Sequence, residues 1–89
     1  MWFVYILLCE NGSFYTGIAL DPQKRLLVHQ SGKGARYTKI HKPVALVYIE
    51  LLTSQIEAMK RERELKTWPR KRKEKLVNNY TLKLSNSNL

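Results

Sequence analysis

Acidic side chains are scarce in this 89-residue chain: seven Asp and Glu stand against sixteen Lys and Arg, leaving a formal net charge of +9. A domain this small and this basic points to a polyanionic partner, although a bare excess of lysine also serves solubility. Cysteine is all but absent. The single Cys9 cannot form an internal disulfide, which fits a reducing, cytoplasmic setting, and as a strand residue it is a poor candidate nucleophile. No apolar run is long enough to cross a membrane, and Met1–Leu8 lacks the basic start and small-residue cleavage site of a secretion signal. With only four glycines, the Gly-x4-Gly-Lys-Ser/Thr order of a phosphate-binding loop is missing. There is no internal repeat and no linker. The length allows one domain with a small core, expected over residues 1–80, and residues 81–89, with their Ser-Asn-Ser-Asn run, are expected to fray.

What is present begins with a hairpin. Trp2–Leu8 and Phe14–Ala19 are rich in aromatic and branched residues and flank Asn11-Gly12. A two-residue turn at Asn11-Gly12 would send Tyr5 and Tyr15 to opposite faces. A three-residue loop, Glu10-Asn11-Gly12 with Gly12 left-handed, pairs Leu7 with Tyr15 and Tyr5 with Gly17, so that both phenols share a face. Gly17 then leaves open space beside Tyr5. Read from spacing alone, both tyrosines are ordinary strand residues.

Asp21 and Pro22 start a first helix that stops before Ser31-Gly32. Arg25 and His29 lie one turn apart on it, a combination suited to holding and protonating a phosphate. Residues 31–43 read as a cationic loop in which Lys33, Arg36 and Lys39 can meet phosphates and Tyr37 can stack or hydrogen-bond. Val44–Leu51 is apolar on both faces and reads as a third strand covered on both sides. Ser54 and Glu57 have capping-box spacing at the start of a second helix, where Ala58, Met59 and Leu65 define an apolar arc. Glu62 falls inside that arc. A carboxylate there needs compensation, from Lys66 one turn on or from a metal ion. Pro69 opens a third helix to about Asn79. Its Arg70-Lys71-Arg72-Lys73 run is either a solvated face or a set of phosphate contacts, and the strong positive charge favours the second. Nine of the basic residues and three acidic ones fall between Lys60 and Lys75.

Phe3-Val4-Tyr5 followed by Tyr15-Thr16-Gly17 resembles the paired motif of the GIY-YIG nuclease superfamily, most closely its small stand-alone bacterial members. Phe3 and Val4 replace the first motif's Gly and Ile. The resemblance implies an α/β fold of the α+β type: a three-stranded antiparallel sheet flanked by about three helices, in the order β-β-α-β-α-α. It implies an essential Arg25 with His29 one turn later, functional Arg36 and Tyr37 in the Gly-x-Gly-Ala-x-Tyr-Thr stretch, and Glu62 as ligand of a single Mg²⁺ or Mn²⁺. Tyr15, with Tyr5 or His29 supporting, becomes the candidate for helping to deprotonate a water, with the choice of phenol open. A phenol titrating near ~10 is a weak base at neutral pH, so a neighbouring cation or the metal has to assist. The expected activity is metal-dependent hydrolysis of phosphodiester bonds in DNA, or RNA, structure-dependent or weakly sequence-specific, in DNA repair or recombination. It needs no small-molecule organic cofactor and no membrane. The alternative is a non-catalytic nucleic-acid-binding module using the same basic surface; an adaptor that docks on a larger protein is a distant third.

Overall fold

A computed structural model describes residues 1–87. The elements run β1 (Trp2–Cys9), β2 (Phe14–Ala19), α1 (Pro22–Gln30), α2 (Arg36–Ile40), β3 (Pro43–Leu52), α3 (Gln55–Lys66) and α4 (Arg70–Ser87). The strands form one antiparallel sheet in the order β2-β1-β3, so the expected α+β architecture is present, with one short helix added.

The hairpin has the three-residue loop. The amide of Cys9 donates to the Ser13 carbonyl (2.9 Å), the Gly12 amide donates to the Cys9 carbonyl (2.8 Å), and Gly12 takes φ +84°. A left-handed residue at that point is inexpensive only for glycine. The resulting register pairs Leu7 with Tyr15 and Tyr5 with Gly17.

Alternation along β1 then sorts the core. Tyr5 and Leu7 pack with Ala19, Tyr15 and Leu26 of α1. Val4 packs with Ala58 and Leu65 of α3 and with Trp68, while Ile6 packs with Val77 and Tyr80 of α4. Val4, Ile6 and Leu65 are fully buried, a contribution of roughly 1.5–3 kcal/mol for each such side chain. Asp21 caps α1 by accepting from the Lys24 amide (3.2 Å), and Ser54 caps α3 by accepting from the Glu57 amide (3.2 Å).

Four details differ from the sequence reading. Strand β3, read as covered on both sides, packs on α1 through Leu46 and on α4 through Tyr48, but it is an edge strand with Val44 and Leu51 more than half exposed, and the central strand is β1. Residues 36–40, read as loop, form one helical turn held inward by the buried Thr38. Met59 lies outside the buried arc of α3, at 44% exposure, while Ala58 and Leu65 are buried. Helix α4 passes Asn79 and continues to Ser87, so residues 81–87, expected to fray, are helical; Asn88 and Leu89 lie outside the described residues. Packing of Val77 and Tyr80 on the sheet carries the helix further than local propensity indicates.

Candidate active site

The strands supply the phenols. Tyr5 lies on the central strand with its ring across Gly17 of β2. A Cβ on Gly17 would stand 2.5 Å from the Tyr5 hydroxyl oxygen. The glycine therefore houses the phenol itself, and the open space expected beside Tyr5 is already filled. Tyr15, two residue pairs along, presents its ring on the same face.

Helix α1 supplies His29 and Arg25. His29 is 1% exposed, and both ring nitrogens are engaged: Nε2 lies 2.9 Å from the Tyr5 hydroxyl and Nδ1 lies 2.7 Å from the Thr38 hydroxyl. Thr38 has a single proton, which it donates to the Ala35 carbonyl (2.9 Å). Its oxygen therefore accepts from His29 Nδ1–H, and Nε2 is left as the acceptor of the Tyr5 proton. Gly34 closes against the same ring; a Cβ there would overlap Nδ1. Thr38, 1% exposed, is the residue that sequence reasoning missed. Its only signal was its place in the Gly-x-Gly-Ala-x-Tyr-Thr stretch.

Charge ties the remaining members to this chain. Burial, then the neighbouring Tyr15, pushes the Tyr5 phenol up to about 12, while the Arg25 guanidinium acts on it in the opposite sense. The Tyr15 phenol is raised by burial and by the Glu62 carboxylate, again against Arg25. Burial and Arg25 together lower the His29 pKa, keeping the imidazole neutral. Glu62 of α3 and Arg25 of α1 belong to helices on opposite faces of the sheet, and the charges of both reach the same two phenols.

Glu62 is partly buried, with its side chain 24% exposed, and its Oε2 lies 3.4 Å from Nζ of a half-exposed Lys66. That exceeds the ~2.7–2.9 Å of a firm charge-assisted hydrogen bond. Among the described residues no three His, Cys, Asp or Glu side chains gather to form a closed metal site. One carboxylate at a partly open position matches the donor set for an ion that keeps several waters and takes phosphate oxygens, as Mg²⁺ does.

The cationic candidates separate. Lys33, Arg36 and Lys39 are exposed around α2, and none has an acidic partner among the described residues. Tyr37 stacks on Tyr15 (6.2 Å, 17°), touches the His41 ring (4.8 Å) and donates to Ser13 Oγ (2.5 Å). In α4, Arg70 lies over Phe14 (4.3 Å) and near Glu74 (3.7 Å), and Arg72 lies over Trp68 (3.8 Å). Lys71 and Lys73 carry no ion pair among the described residues. The run Arg70–Lys73 thus contains two guanidiniums packed on rings and two ammonium groups that are not.

Comparison with known proteins gives a consistent result. The GIY-YIG catalytic domain pattern matches residues 1–75. A UPF0213 protein of Staphylococcus saprophyticus is 51% identical over 75 residues, 84% of this chain and 92% of that protein; one from Staphylococcus epidermidis is 53% identical over the same shares. In structure, the chain is similar to the UPF0213 protein BH0048 of Bacillus halodurans, solved by NMR (TM-score 0.55, 46% identity, 88% of this chain and 84% of that one). It is also similar to the protein EF2693 of E. faecalis (TM-score 0.58, 36% identity, 90% and 85%).

Proposed function

Because the chain belongs to the GIY-YIG catalytic domain family, we propose that it is a metal-dependent endonuclease hydrolysing phosphodiester bonds in nucleic acid, with DNA as the first substrate to test. The observation that carries this reading is the hydrogen-bonded line Tyr5–His29–Thr38 beside Arg25 and Glu62.

The line answers a difficulty in the chemistry. A phenol pushed up to about 12 is not ionised at neutral pH and cannot act alone as a base. Neutral His29 can. Tyr5 is 1% exposed, so its oxygen has to be uncovered as substrate binds; as a water then gives its proton to that oxygen, the Tyr5 proton moves to Nε2 of His29. The imidazolium that forms keeps its Nδ1–H on Thr38. The water oxygen is then free to form its bond to phosphorus while the bond to the leaving oxygen breaks. Arg25 neutralises the charge that grows on the phosphoryl oxygens. Tyr15, whose hydroxyl has no hydrogen-bond partner among the described residues, would orient the water or a phosphate oxygen.

Glu62 would hold the Mg²⁺ or Mn²⁺, which when bound supplies Lewis-acid stabilisation to a phosphate oxygen and the leaving oxygen. Lys33, Arg36, Lys39, Lys71 and Lys73 are the assigned phosphate contacts, with electrostatic binding that weakens with salt. A place in DNA repair or recombination, in the cytoplasm, fits a small basic nuclease with one buried, reduced Cys9. No helix among the described residues is long and apolar enough to cross a membrane.

The Glu62–Lys66 contact favours a second reading, in which the carboxylate is neutralised for good and the domain only binds nucleic acid. Incubation with supercoiled plasmid and with a branched duplex decides between them. Magnesium-dependent nicking that falls by roughly a hundredfold or more in Glu62→Gln and in Arg25→Ala supports the nuclease. Salt-sensitive binding without cleavage at any Mg²⁺ or Mn²⁺ concentration supports the binding module.

A further inference from the structure

Strand β2 is a free edge of the sheet, and a groove of about 260 Å³ lies beside its first half. Phe14, Tyr15 and Thr16 line it from the strand, Tyr37 from α2, and Lys66 and Lys73 from α3 and α4. No carboxylate lines it, although Lys66 reaches Glu62 just outside.

Three observations point to the occupant. First, Lys73 is half-buried yet has no acidic partner among the described residues, and Lys66 has only the 3.4 Å contact to Glu62. Neither ammonium group is held by a close carboxylate, so both are available to an anion that enters the groove. Second, the aromatic surface is already engaged: Tyr37 contacts the Tyr15 and His41 rings, and Phe14 lies under Arg70. That leaves little for a nucleobase to stack on and favours a backbone phosphate. Third, among the described residues Thr16 Oγ1 is the one enclosed side-chain oxygen without a hydrogen-bond partner, and Thr16 lines this groove. A buried hydroxyl without a partner calls for one.

We propose that the groove is a second phosphate subsite, taking the backbone phosphodiester adjacent to the one at the reaction centre, and that Lys66 is shared between this subsite and Glu62. When the groove is empty, Lys66 rests on the carboxylate. A phosphate between Lys66 and Lys73 draws the ammonium group toward itself and leaves the Glu62 carboxylate available to a divalent ion. Nucleic acid and ion then bind with positive cooperativity, each tightening the other by the same factor. The subsite stands on the groove alone; the sharing of Lys66 rests on the role proposed for Glu62.

The test uses the full-length protein and a fluorescent phosphorothioate-protected oligonucleotide. Anisotropy is first measured in EDTA across a salt series. Lys66→Ala and Lys73→Ala are each expected to weaken binding several-fold and to reduce the slope of log K against log salt by about 0.7–0.9, one phosphate contact. Lys60→Ala, outside the groove and paired with Glu57 at 3.6 Å, is expected to leave the slope unchanged. Lys73→Gln should repeat Lys73→Ala. Wild-type slopes in the Lys66 and Lys73 variants overturn the subsite.

Mn²⁺ binding is then followed by paramagnetic broadening of the Tyr15 and Glu62 resonances. In the wild type the oligonucleotide should tighten Mn²⁺ binding several-fold. In Lys66→Ala, Mn²⁺ alone should bind several-fold more tightly and the oligonucleotide should add little. Undiminished coupling in Lys66→Ala overturns the sharing. Neither arm reads cleavage, so failure of both with intact plasmid nicking removes the subsite and leaves the nuclease, and the reverse result removes the nuclease and leaves the subsite.

Discussion

The hydroxyl of Tyr5 and Nε2 of His29 are 2.9 Å apart, and a third residue fixes the direction of the proton between them. Thr38 gives its only proton to the Ala35 carbonyl, so it can only accept from His29 Nδ1–H. Tyr5 therefore donates and His29 accepts. A phenol whose proton already points at a neutral imidazole can receive a second proton from water without ionising beforehand.

Thr38→Val keeps the volume of the side chain and removes the acceptor. The imidazole then loses its reason to carry the proton on Nδ1, and a mixture of tautomers is expected. Cleavage should fall about 10- to 100-fold, part of the ~10²–10⁴ that a positioned base supplies. Thr38→Ser, which restores the hydroxyl, should recover most of it. The nitrogen chemical shifts of His29 check the cause: protonation at Nδ1 in the wild type and in Thr38→Ser, mixed protonation in Thr38→Val. Unchanged shifts in Thr38→Val would show that the threonine is only packing.

The same histidine ties stability to pH. Burial and Arg25 depress its pKa in the folded protein below the ordinary ~6.5. Below that value the unfolded chain binds a proton more readily than the native one, so stability is full above pH ~6.5 and declines as the pH falls through the folded pKa. The melting temperature should drop between pH 7 and pH 5. His29→Gln should flatten that part of the curve. A wild-type curve with no slope in this window would contradict a neutral, enclosed imidazole.

What could be read from the sequence alone follows a physical divide. The hairpin was legible and its register was narrowed to two; the structure has the three-residue loop with Gly12 left-handed, which puts Tyr5 and Tyr15 on one face. Glu62 stood out because a carboxylate among apolar neighbours contradicts helical periodicity. Thr38 did not stand out, since a threonine among cations breaks no local rule, and its role exists only once α2 folds against α1. Lys66 reads as a partner for Glu62 and Lys73 as one of a run of phosphate contacts, but the groove they share exists only once the turn between α3 and α4 sets both beside β2. The charge of Arg70 and Arg72 is visible in the sequence, and the rings of Phe14 and Trp68 beneath them are not.

Arg25 has two effects that a titration can separate. Its charge lowers the His29 pKa and also opposes the rise at Tyr5. Arg25→Gln should therefore raise the His29 pKa, visible as an upward shift in an NMR titration, and move the acid limb of the cleavage profile to higher pH. Residual activity should be lower at every pH because the phosphoryl charge has lost its partner. An unmoved His29 titration would mean that the guanidinium does not face the imidazole.

Gly17 offers the most direct test of how the site is assembled. A Cβ at this position would lie 2.5 Å from the Tyr5 hydroxyl oxygen and 2.7 Å from Cζ, against a ring that is 1% exposed and held by His29. The backbone of Gly17 needs no unusual φ, so Gly17→Ala is a steric change and nothing else. Since the phenol is bonded at its tip and packed along its sides, it has to swing away from Nε2. Overpacking of this kind costs about 1–3 kcal/mol, readable as a lower denaturation midpoint. Tyr5→Phe in the Gly17→Ala background should relieve part of that cost, because the atom in closest conflict is gone, while cleavage stays lost. Equal destabilisation with and without the hydroxyl would place the clash elsewhere, and the Tyr5 hydroxyl would no longer explain why position 17 is a glycine.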